Sequence, residues 1–417
     1  MGRFIIVLSF VAGLASAESP RCDTSSPHKA LGVVYCVFCI DTETDGFNYG
    51  RFSQKLNLNS FKRGNIVEQA LSSTWRDSLT DSFDGSLKIS WFLMTIEGYR
   101  PTRHGINAVV GEFLRWFSDI IPQLGDEIGW HYHHADWFHD SLSRKTGWNM
   151  IRTFSGRTYN RLTDRELAMS HLASFVYHNR LYPASFRAGW LWENNDFSNW
   201  LDSIIPFDYS HNWDAVDAEL FMYHPSTHDL FTSGDLSRSV VRTTDEVDST
   251  YVRSMFELAA AGRPVILAYY THNYGSTLPR NNAIKAKARR VHELCRRYSD
   301  SLGVPFQYCT ASEAVNRARG IEMPSEYYFS VRYDSSSGTL YAACDSSTFG
   351  VPLVCVMIGG EIVGSLMEHD TDANVWRLQL DTVRVDSFLV AGVSKTGDTF
   401  VWGPCTPSDA TAQNRKR

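Results

Sequence analysis

Short apolar runs alternate with segments of helical apolar spacing from residue 31 to residue 320. The runs at 31–40 (LGVVYCVFCI) and 87–95 (LKISWFLMT) have the length and composition of buried strands, whereas 163–181 predicts a helix that opens on Thr163 and an acidic first turn. Parallel strands need long crossovers, which are usually helices, so the alternation predicts an α/β fold with a parallel sheet closed as a (β/α) barrel. In such barrels the functional side chains lie at the carboxyl ends of the strands.

Helical spacing ends near Glu322. Beyond it, short alternating strands such as those in 351–366 (VPLVCVMIGGEIVGSL) are separated by Gly, Ser and Asp turns. We therefore expect a barrel domain at 31–320, a small C-terminal all-β domain of sandwich type at 325–404 and a polar tail at 405–417.

The amino terminus has the pattern of a secretory signal peptide at 1–17. One Arg precedes an apolar run at 4–14, and the small residues Ala-Ser-Ala at 15–17 form a cleavage site. We expect a linker at 18–30 and a protein that is secreted, periplasmic or held at the cell envelope. An uncleaved anchor or a misassigned start is the alternative. No other stretch is apolar enough to cross a bilayer, so no integral membrane segment is expected after cleavage.

Charge and composition narrow the range of partners. The net charge is −6 and the one strongly basic run is the terminal NRKR, so nucleic acid is not an expected partner. Aromatic residues make up 13% of the chain, with 12 Trp and 19 Tyr, which suits either a sugar-binding cleft or a large aromatic core.

Polar clusters stand at the ends of the predicted strands. They are 41–46 (DTETDG), 131–134 (HYHH), 186–190 (FRAGW), 207–210 (FDYS) and 269–275 (YYTHNYG). Because the strands of a parallel barrel share one carboxyl end, we expect these clusters to gather there.

The first cluster contains three acidic residues spaced by two. In an extended chain Asp41, Glu43 and Asp45 would lie on one face. Crowded carboxylates repel one another, and a bound cation would relieve that repulsion. The alternative is a solvated acidic loop.

The second cluster contains three histidines, which strand alternation would place on two different sides of a strand. His131 and His133 would point to the same side of a strand, and His134 to the other side unless the strand has already ended. Two imidazoles and one carboxylate form a zinc-type catalytic sphere that leaves a position for water. A polar loop that binds no metal is the alternative.

Three further residues at strand ends are candidates for the site. Arg187 could pair with a carboxylate and hold it ionised. His272 could be a proton donor at the barrel mouth or a buried core histidine, and Asp208 could orient His272.

In content and order these motifs resemble the polysaccharide deacetylase family, the chitooligosaccharide deacetylase homology domain. That family has an acidic motif after the first strand, an EIG-x-H motif, an FR motif, a strand with Asp and Ser, and a late histidine. The chain has CIDTETDG, DEIGWHYHH, ASFRAGW, PFDYS and YYTHNYG in that order, and the resemblance covers about residues 31–320. It implies a distorted barrel of about seven strands and a metal-dependent deacetylase, with zinc as the expected divalent ion.

The resemblance also implies roles for individual residues. Asp41 would be the general base, and Arg187 would keep it ionised. Glu43 and His131 would be metal ligands, and His272 would donate a proton to the leaving group.

The chain departs from the family pattern at two positions. It has Asp-x-Glu where the family has adjacent aspartates, and an alignment on TDG would bring in Asp45 instead. The family's histidines are four apart, but Ala135 stands at that position. The second histidine ligand is then His133, which strand parity favours, or His134.

We therefore expect a carbohydrate deacetylase, a hydrolase that removes an acyl group, in the first place acetyl, from an N-acylated amino sugar or polysaccharide. The alternatives are a catalytically impaired glycan-binding protein that keeps the barrel, and a hydrolase of small non-peptide amides. The aromatic side chains near the motifs would either contact substrate or pack the barrel rim. The candidate substrate contacts are Trp130, Trp190, Trp192, Tyr274 and Asp208.

Overall fold

A computed structural model of the chain describes residues 32–44, 57–97, 105–140, 145–150, 158–159, 162–211, 221–273, 282–321, 327–345, 347–380 and 384–409. For 136–140, 145–150, 158–159 and 162 it describes the backbone only. The expected signal peptide at 1–17, the linker at 18–30 and residues 410–417 of the expected tail lie outside the described residues.

The amino-terminal three quarters of the chain alternate strands with helices. The strands are β1 (Val34–Thr42), β2 (Ser90–Ile96), β3 (Glu127–His133), β4 (Ala135–Asp140), β5 (Lys145–Met150), β6 (Thr158–Tyr159), β7 (Leu162–Thr163), β8 (Ser185–Ala188), β9 (Phe207–His211), β10 (Met222–Tyr223), β11 (Ser239–Thr244), β12 (Val265–His272) and β13 (Phe306–Cys309). The helices are α1 (Ile66–Ala70), α2 (Ser73–Arg76), α3 (Ala108–Phe117), α4 (Ile120–Gln123), α5 (Asp164–Asn179), α6 (Asn195–Leu201), α7 (Ser249–Ala260), α8 (Ala283–Leu302) and α9 (Ala311–Ala318).

The elements that follow α9 are strands. They are β14 (Phe329–Asp334), β15 (Thr339–Cys344), β16 (Thr348–Ile358), β17 (Glu361–Leu366), β18 (Glu368–Asp370), β19 (Val375–Gln379), β20 (Ser387–Ser394) and β21 (Thr399–Cys405).

Seven parallel strands close into a barrel in the order β1, β2, β3, β8, β9, β11, β12. The pairing of β12 with β1 runs from Val34 opposite Val265 to Asp41 opposite His272, and β11 pairs with β9. Closure removes the free sheet edges, which would otherwise expose unpaired backbone groups. The expected (β/α) barrel is confirmed.

The barrel is distorted where β13 enters it. Because β12 occupies one whole edge of β1, the strands β13 and β2 share the other edge. β13 pairs with Val34–Val37, and β2 pairs with Cys39–Thr42. This shared edge leaves β2 paired with the end of β1 that leads into the acidic motif.

The helix predicted at 163–181 begins as its sequence indicates. The Thr163 hydroxyl accepts a hydrogen bond from the Glu166 backbone N–H, and the Glu166 carboxylate accepts from the Thr163 N–H at 2.7 Å. This reciprocal capping box satisfies two backbone donors that the first helical turn leaves unpaired. No helix among the described residues is long and apolar enough to span a membrane.

The carboxyl-terminal strands form two antiparallel sheets, ordered β14-β15-β19-β18 and β17-β16-β20-β21. The two sheets share a core of their own, which includes Phe329, Leu340, Val354 and Phe388. Two sheets that face each other across one apolar core make a β-sandwich, the architecture expected for this region.

The central strands of the second sheet, β16 and β20, pack against the barrel as well as against the first sheet. Their residues Leu353, Cys355 and Leu389 belong to the barrel core. Helix α5 lies directly on β17, because a Cβ added to Gly364 would come within 2.7 Å of Met169 Cγ. The sandwich is therefore attached to the barrel by shared apolar burial, and the expected domain boundary near residue 320 stays a prediction.

Candidate metal centre

Three donor atoms converge at the carboxyl ends of β1 and β3. Glu43 Oε1 lies 3.1 Å from His131 Nε2 and 3.0 Å from His133 Nε2, and the two Nε2 atoms are 2.9 Å apart. The three side chains are at most 2% exposed. Strands β1 and β3 both pair with β2, which brings the acidic and histidine motifs together at the same end of the barrel.

A backbone hydrogen bond determines which nitrogen of His131 faces the cluster. His131 Nδ1 lies 2.9 Å from the carbonyl oxygen of Arg187. A carbonyl can only accept, so Nδ1 carries the hydrogen, and in the neutral ring Nε2 presents its lone pair to Glu43 and His133. Histidine ligands of metals are oriented by this kind of bond.

The neighbouring rings keep Glu43 ionised. Burial alone would raise the pKa of its carboxyl. When the two rings are protonated, however, the charge of His133 and the hydrogen bonds donated by His131 and His133 outweigh burial and hold the pKa of Glu43 below its usual range. Burial lowers the pKa of His133. The group therefore offers an anionic carboxylate and a readily deprotonated imidazole.

These residues fit a divalent metal ion. When both rings are deprotonated, two nitrogen lone pairs and a carboxylate oxygen about 3 Å apart repel one another, and a metal ion among them would replace the protons that otherwise relieve this repulsion. The other carboxylate oxygen of Glu43, Oε2, is buried and has no hydrogen-bond partner among the described residues. Imidazole nitrogen and carboxylate oxygen are preferred zinc donors, and three protein ligands leave a coordination position open.

An ion pair lies beside the three donors, as the sequence predicts for Arg187. Its Nε is 2.6 Å from Asp41 Oδ1, and both side chains are at most 4% exposed. Arg187 Nη1 also donates to Thr243 Oγ1 at 2.8 Å, and its guanidinium carbon lies 3.7 Å from the centre of the Tyr270 ring. These contacts fix the guanidinium, which in turn fixes the Asp41 carboxylate.

His272 lies at the mouth of the site, opposite Asp41 in the β1–β12 register. Its Nε2 is 3.8 Å from Asp41 Oδ2 and 3.9 Å from Glu43 Oε1. Its side chain is 31% exposed, so His272 can meet both the buried carboxylates and a molecule that arrives from solvent.

Asp208 does not orient His272. Its carboxylate accepts from Ser210 Oγ at 2.6 Å and pairs with Arg238 at 3.1 Å. The reason is the strand order, because β9 carries Asp208, β12 carries His272, and β11 lies between them. Asp208 is also fully buried, so it offers no surface to a substrate.

Among the candidate substrate contacts, Trp130 lies in the core. It has no exposed surface, and its Nε1 donates to Thr95 Oγ1 at 2.8 Å. Of the two alternatives for Trp130, substrate contact or packing, the structure therefore shows packing. Strand alternation explains the position, since Trp130 points to the side of β3 opposite His131.

Trp190 and Trp192 are partly exposed and lie against histidines of the second motif. The Trp190 ring centre is 4.9 Å from that of His133, and the Trp192 ring stacks on His134 at 4.8 Å. His134 Nδ1 is 2.8 Å from the Tyr132 hydroxyl, away from the three donors. Of the two alternatives for the second histidine, the structure brings His133 to Glu43.

Two candidates, Asp45 and Tyr274, lie outside the described residues. Nothing in the structure bears on their expected roles.

Sequence reasoning missed Asn273, which holds Glu43 in place. The backbone N–H of Glu43 donates to Asn273 Oδ1 at 2.7 Å, and Asn273 Nδ2 donates to the Glu43 carbonyl at 2.9 Å. Glu43 lies just past the end of β1, so the Asn273 amide replaces the strand partner that its backbone lacks. Its position directly after His272 was the one available signal.

Gly189 was also missed, although it belongs to the FRAGW motif. A Cβ at this position would lie 2.4 Å from Cγ of His133, closer than non-bonded carbon atoms approach. The absence of a side chain at Gly189 therefore lets the His133 ring reach Glu43.

Substituting Gly189 with alanine should displace the His133 ring. We expect metal affinity to fall about 10- to 100-fold, as when a residue that orients a ligand is lost, and the free energy of unfolding to fall by about 1–3 kcal/mol. Metal titration and thermal denaturation measure the two effects.

The matched control is Gly111→Ala in helix α3, where an added Cβ has no neighbour within 4 Å. This change should leave metal affinity unaltered and stabilise the helix by up to about 1 kcal/mol. Equal metal affinity in Gly189→Ala and the unmodified protein would show that the ring does not need this space.

A second buried cluster contains Glu193, Asp208 and His211. The Arg238 Nη2 atom lies 3.2 Å from Glu193 Oε2 and 3.1 Å from Asp208 Oδ2. The guanidinium therefore supplies the positive charge that a metal ion would otherwise bring. Burial and the charge of Glu193 raise the pKa of Asp208 to about 6. This cluster is an ion-pair network that anchors the loop after β8.

No protein-family model and no curated protein sequence matches the chain. Among solved structures, it is similar to a candidate glycoside hydrolase/deacetylase from Parabacteroides distasonis, with 10% sequence identity and a TM-score of 0.44 over 82% of this chain and 86% of that chain. It is also similar to an engineered protein, with 12% identity and a TM-score of 0.29 over 89% and 92% of the two chains. Both likenesses are loose, so the chemistry of the site follows from its own side chains.

Proposed function

We propose that the chain is a metal-dependent hydrolase that removes an acyl group, in the first place acetyl, from an N-acylated amino sugar or polysaccharide. The observation that carries this proposal is the convergence of Glu43, His131 and His133 beside the Asp41–Arg187 ion pair. Three side chains that can bind a metal ion, next to a buried carboxylate that can act as a base, are the groups that metal-dependent hydrolysis of an acyl bond requires.

Glu43, His131 and His133 would hold the ion, for which zinc is our proposal. When bound, a divalent ion polarises an acyl carbonyl and lowers the pKa of water to near neutrality. The buried donors and the Asn273 amide keep this corner of the barrel fixed before substrate arrives.

Asp41 would accept the proton of the attacking water. The ion pair with Arg187, in which Nε lies 2.6 Å from Asp41 Oδ1, positions this carboxylate and restricts its rotation. The Arg187 side chain is fully buried. It acts through Asp41, supported by Thr243 and the Tyr270 ring.

His272 would give a proton to the departing amine. Amines leave poorly as anions, so the acid must lie close to the breaking bond. Its partial exposure and its distance of 3.8 Å from Asp41 suit a group that meets the substrate from the open side.

Replacing His272 with alanine should reduce kcat by about 10²- to 10⁴-fold with little change in KM, because proton donation matters in the transition state. The loss should be large for an acetamide substrate and small for 4-nitrophenyl acetate, whose leaving group needs no proton. Steady-state kinetics on both substrates measure the difference. An equal loss on both would remove His272 from the role of acid.

A sugar ring is the proposed substrate group because two partly exposed indoles, Trp190 and Trp192, flank the histidines. Aromatic rings offer rigid apolar faces on which sugar rings stack. The signal-peptide pattern at 1–17 supports a secreted or envelope location, where polymeric glycans are found.

The decisive test is a deacetylation screen on chitooligosaccharide, peptidoglycan and acetylxylan, with and without a chelator. We expect acetate release from at least one polymer, loss of release with chelator and recovery on addition of zinc. A metal-free protein that binds these glycans without releasing acetate would instead support the non-catalytic alternative. Release from small acetamides alone would support the small-amide hydrolase.

A further inference from the structure

A cavity of about 350 Å³ lies at the opposite end of the barrel from the metal centre. Its lining includes Pro206, which precedes β9, and Ser237, which lies just before β11, so it opens at the amino ends of these strands. The sandwich closes the other side with Phe349 of β16 and with Lys395, directly after β20. The proposed hydrolase chemistry uses none of these residues.

Arg319 brings a positive charge to this cavity. Its Nη2 lies 3.1 Å from His224 Nε2 and bonds to Ser239 Oγ. His224 Nδ1 donates to the Arg238 carbonyl at 2.9 Å, so His224 Nε2 accepts from Arg319 and the ring is neutral. Both partners of the guanidinium are therefore uncharged.

No carboxylate among the described residues forms an ion pair with Arg319. Burial lowers the pKa of this guanidinium, and no acidic group opposes the effect. The carboxylate of Asp202 lies near the lining but accepts the backbone N–H groups of Ser237 and Arg238 at 2.8 and 2.7 Å. A partly buried charge without a counterion is costly, and an anion in the cavity would remove that cost.

Lys395 adds a second positive charge, and no Asp or Glu is among the described lining residues. The Lys395 backbone N–H donates to the Ser347 carbonyl, which fixes the chain where its side chain enters the lining. We propose that this cavity binds a small oxyanion between Arg319 and Lys395, either a phosphate group or the carboxylate of a sugar acid. Guanidinium and ammonium groups together suit both ligands.

Thermal unfolding of the whole chain tests the proposal. The protein is titrated with sodium phosphate, sodium acetate and sodium glucuronate, each against sodium chloride at equal ionic strength. We expect a saturable rise in Tm with at least one oxyanion, because a ligand that binds only the folded state stabilises it. A rise with phosphate alone assigns a phosphate ligand, and a rise with glucuronate or acetate assigns a carboxylate.

Three variants locate the binding site. Arg319→Gln should abolish the saturable rise, and Lys395→Gln, whose side chain is exposed, should weaken the apparent affinity about tenfold by removing one charge-assisted contact. Arg115→Gln, on the exposed face of α3, should leave the response unchanged. Because Arg319 also bonds Ser239 and His224, Lys395→Gln decides the matter if Arg319→Gln does not fold. The proposal is overturned if no oxyanion exceeds chloride, or if both cavity variants respond like the unmodified protein.

Discussion

Replacing His131 with alanine should abolish near-stoichiometric metal binding and reduce turnover by about 10³-fold or more. The substitution removes one of three donors that lie within 3.1 Å of one another. Loss of a residue that merely orients a ligand costs up to about 100-fold in affinity, so loss of the ligand itself should cost more. Elemental analysis of the purified variant and kcat/KM on the best polymer substrate measure the two effects.

His134→Ala is the matched control, since His134 is also buried but bonds the Tyr132 hydroxyl instead of Glu43. It should keep its metal. Retention of the metal in His131→Ala, or its loss in His134→Ala alone, would contradict the donor set. Loss of metal in both would indicate that the aromatic packing around β3 had collapsed.

Asp41→Asn should separate the base from the metal ligands. The asparagine amide has nearly the same shape as the aspartate carboxylate but cannot accept the proton. We therefore expect kcat to fall about 10²- to 10⁴-fold while metal content stays unchanged. The change also leaves Arg187 buried without its counter-charge, which should lower the free energy of unfolding by about 3–5 kcal/mol. Kinetics, elemental analysis and denaturant titration report the three quantities.

The control for this variant is Asp300→Asn on the exposed face of α8, which should change none of them. Kinetics are to be measured where denaturant titration shows Asp41→Asn fully folded. Undiminished turnover there would mean that another group takes the proton. Metal loss would mean that Asp41 is itself a ligand.

Part of this site could be predicted from the local periodicity of the sequence. His131 and His133 stand two apart on β3, so alternation alone predicted that they project to one side and His134 to the other. The structure shows this arrangement, with 2.9 Å between the two Nε2 atoms. Likewise, the alternation of strands and helices predicted a barrel because parallel strands require crossovers.

Contacts between segments that are distant in the sequence could not be predicted from periodicity. Asn273 reaches Glu43 across 230 positions of sequence, and the pairing of β1 with β12 alone brings them together. The role of Gly189 depends on the His133 ring, which occupies the space that a Cβ at this position would need. A single Asn or Gly at these positions forms no sequence pattern from which its role could be predicted.

Asp208 and Trp130 were predicted to be near the site from their motifs, but the structure places their side chains elsewhere. Both residues belong to motifs that surround the site, yet both are fully buried and face other partners. For Asp208 the deciding fact is that β11 separates β9 from β12, a matter of strand order. For Trp130 it is the direction of a single side chain within β3.

Spacing along the chain was enough to predict the succession of strands and helices, the barrel class and the side of β3 that carries the paired imidazoles. The three-dimensional fold was needed to establish that Glu43 meets those imidazoles, that Asp41 pairs with Arg187, and that the cavity beside Arg319 has no carboxylate among its described lining residues. The reason is physical: a charge or a donor atom acts through its distance from others in space, and closure of the barrel sets those distances.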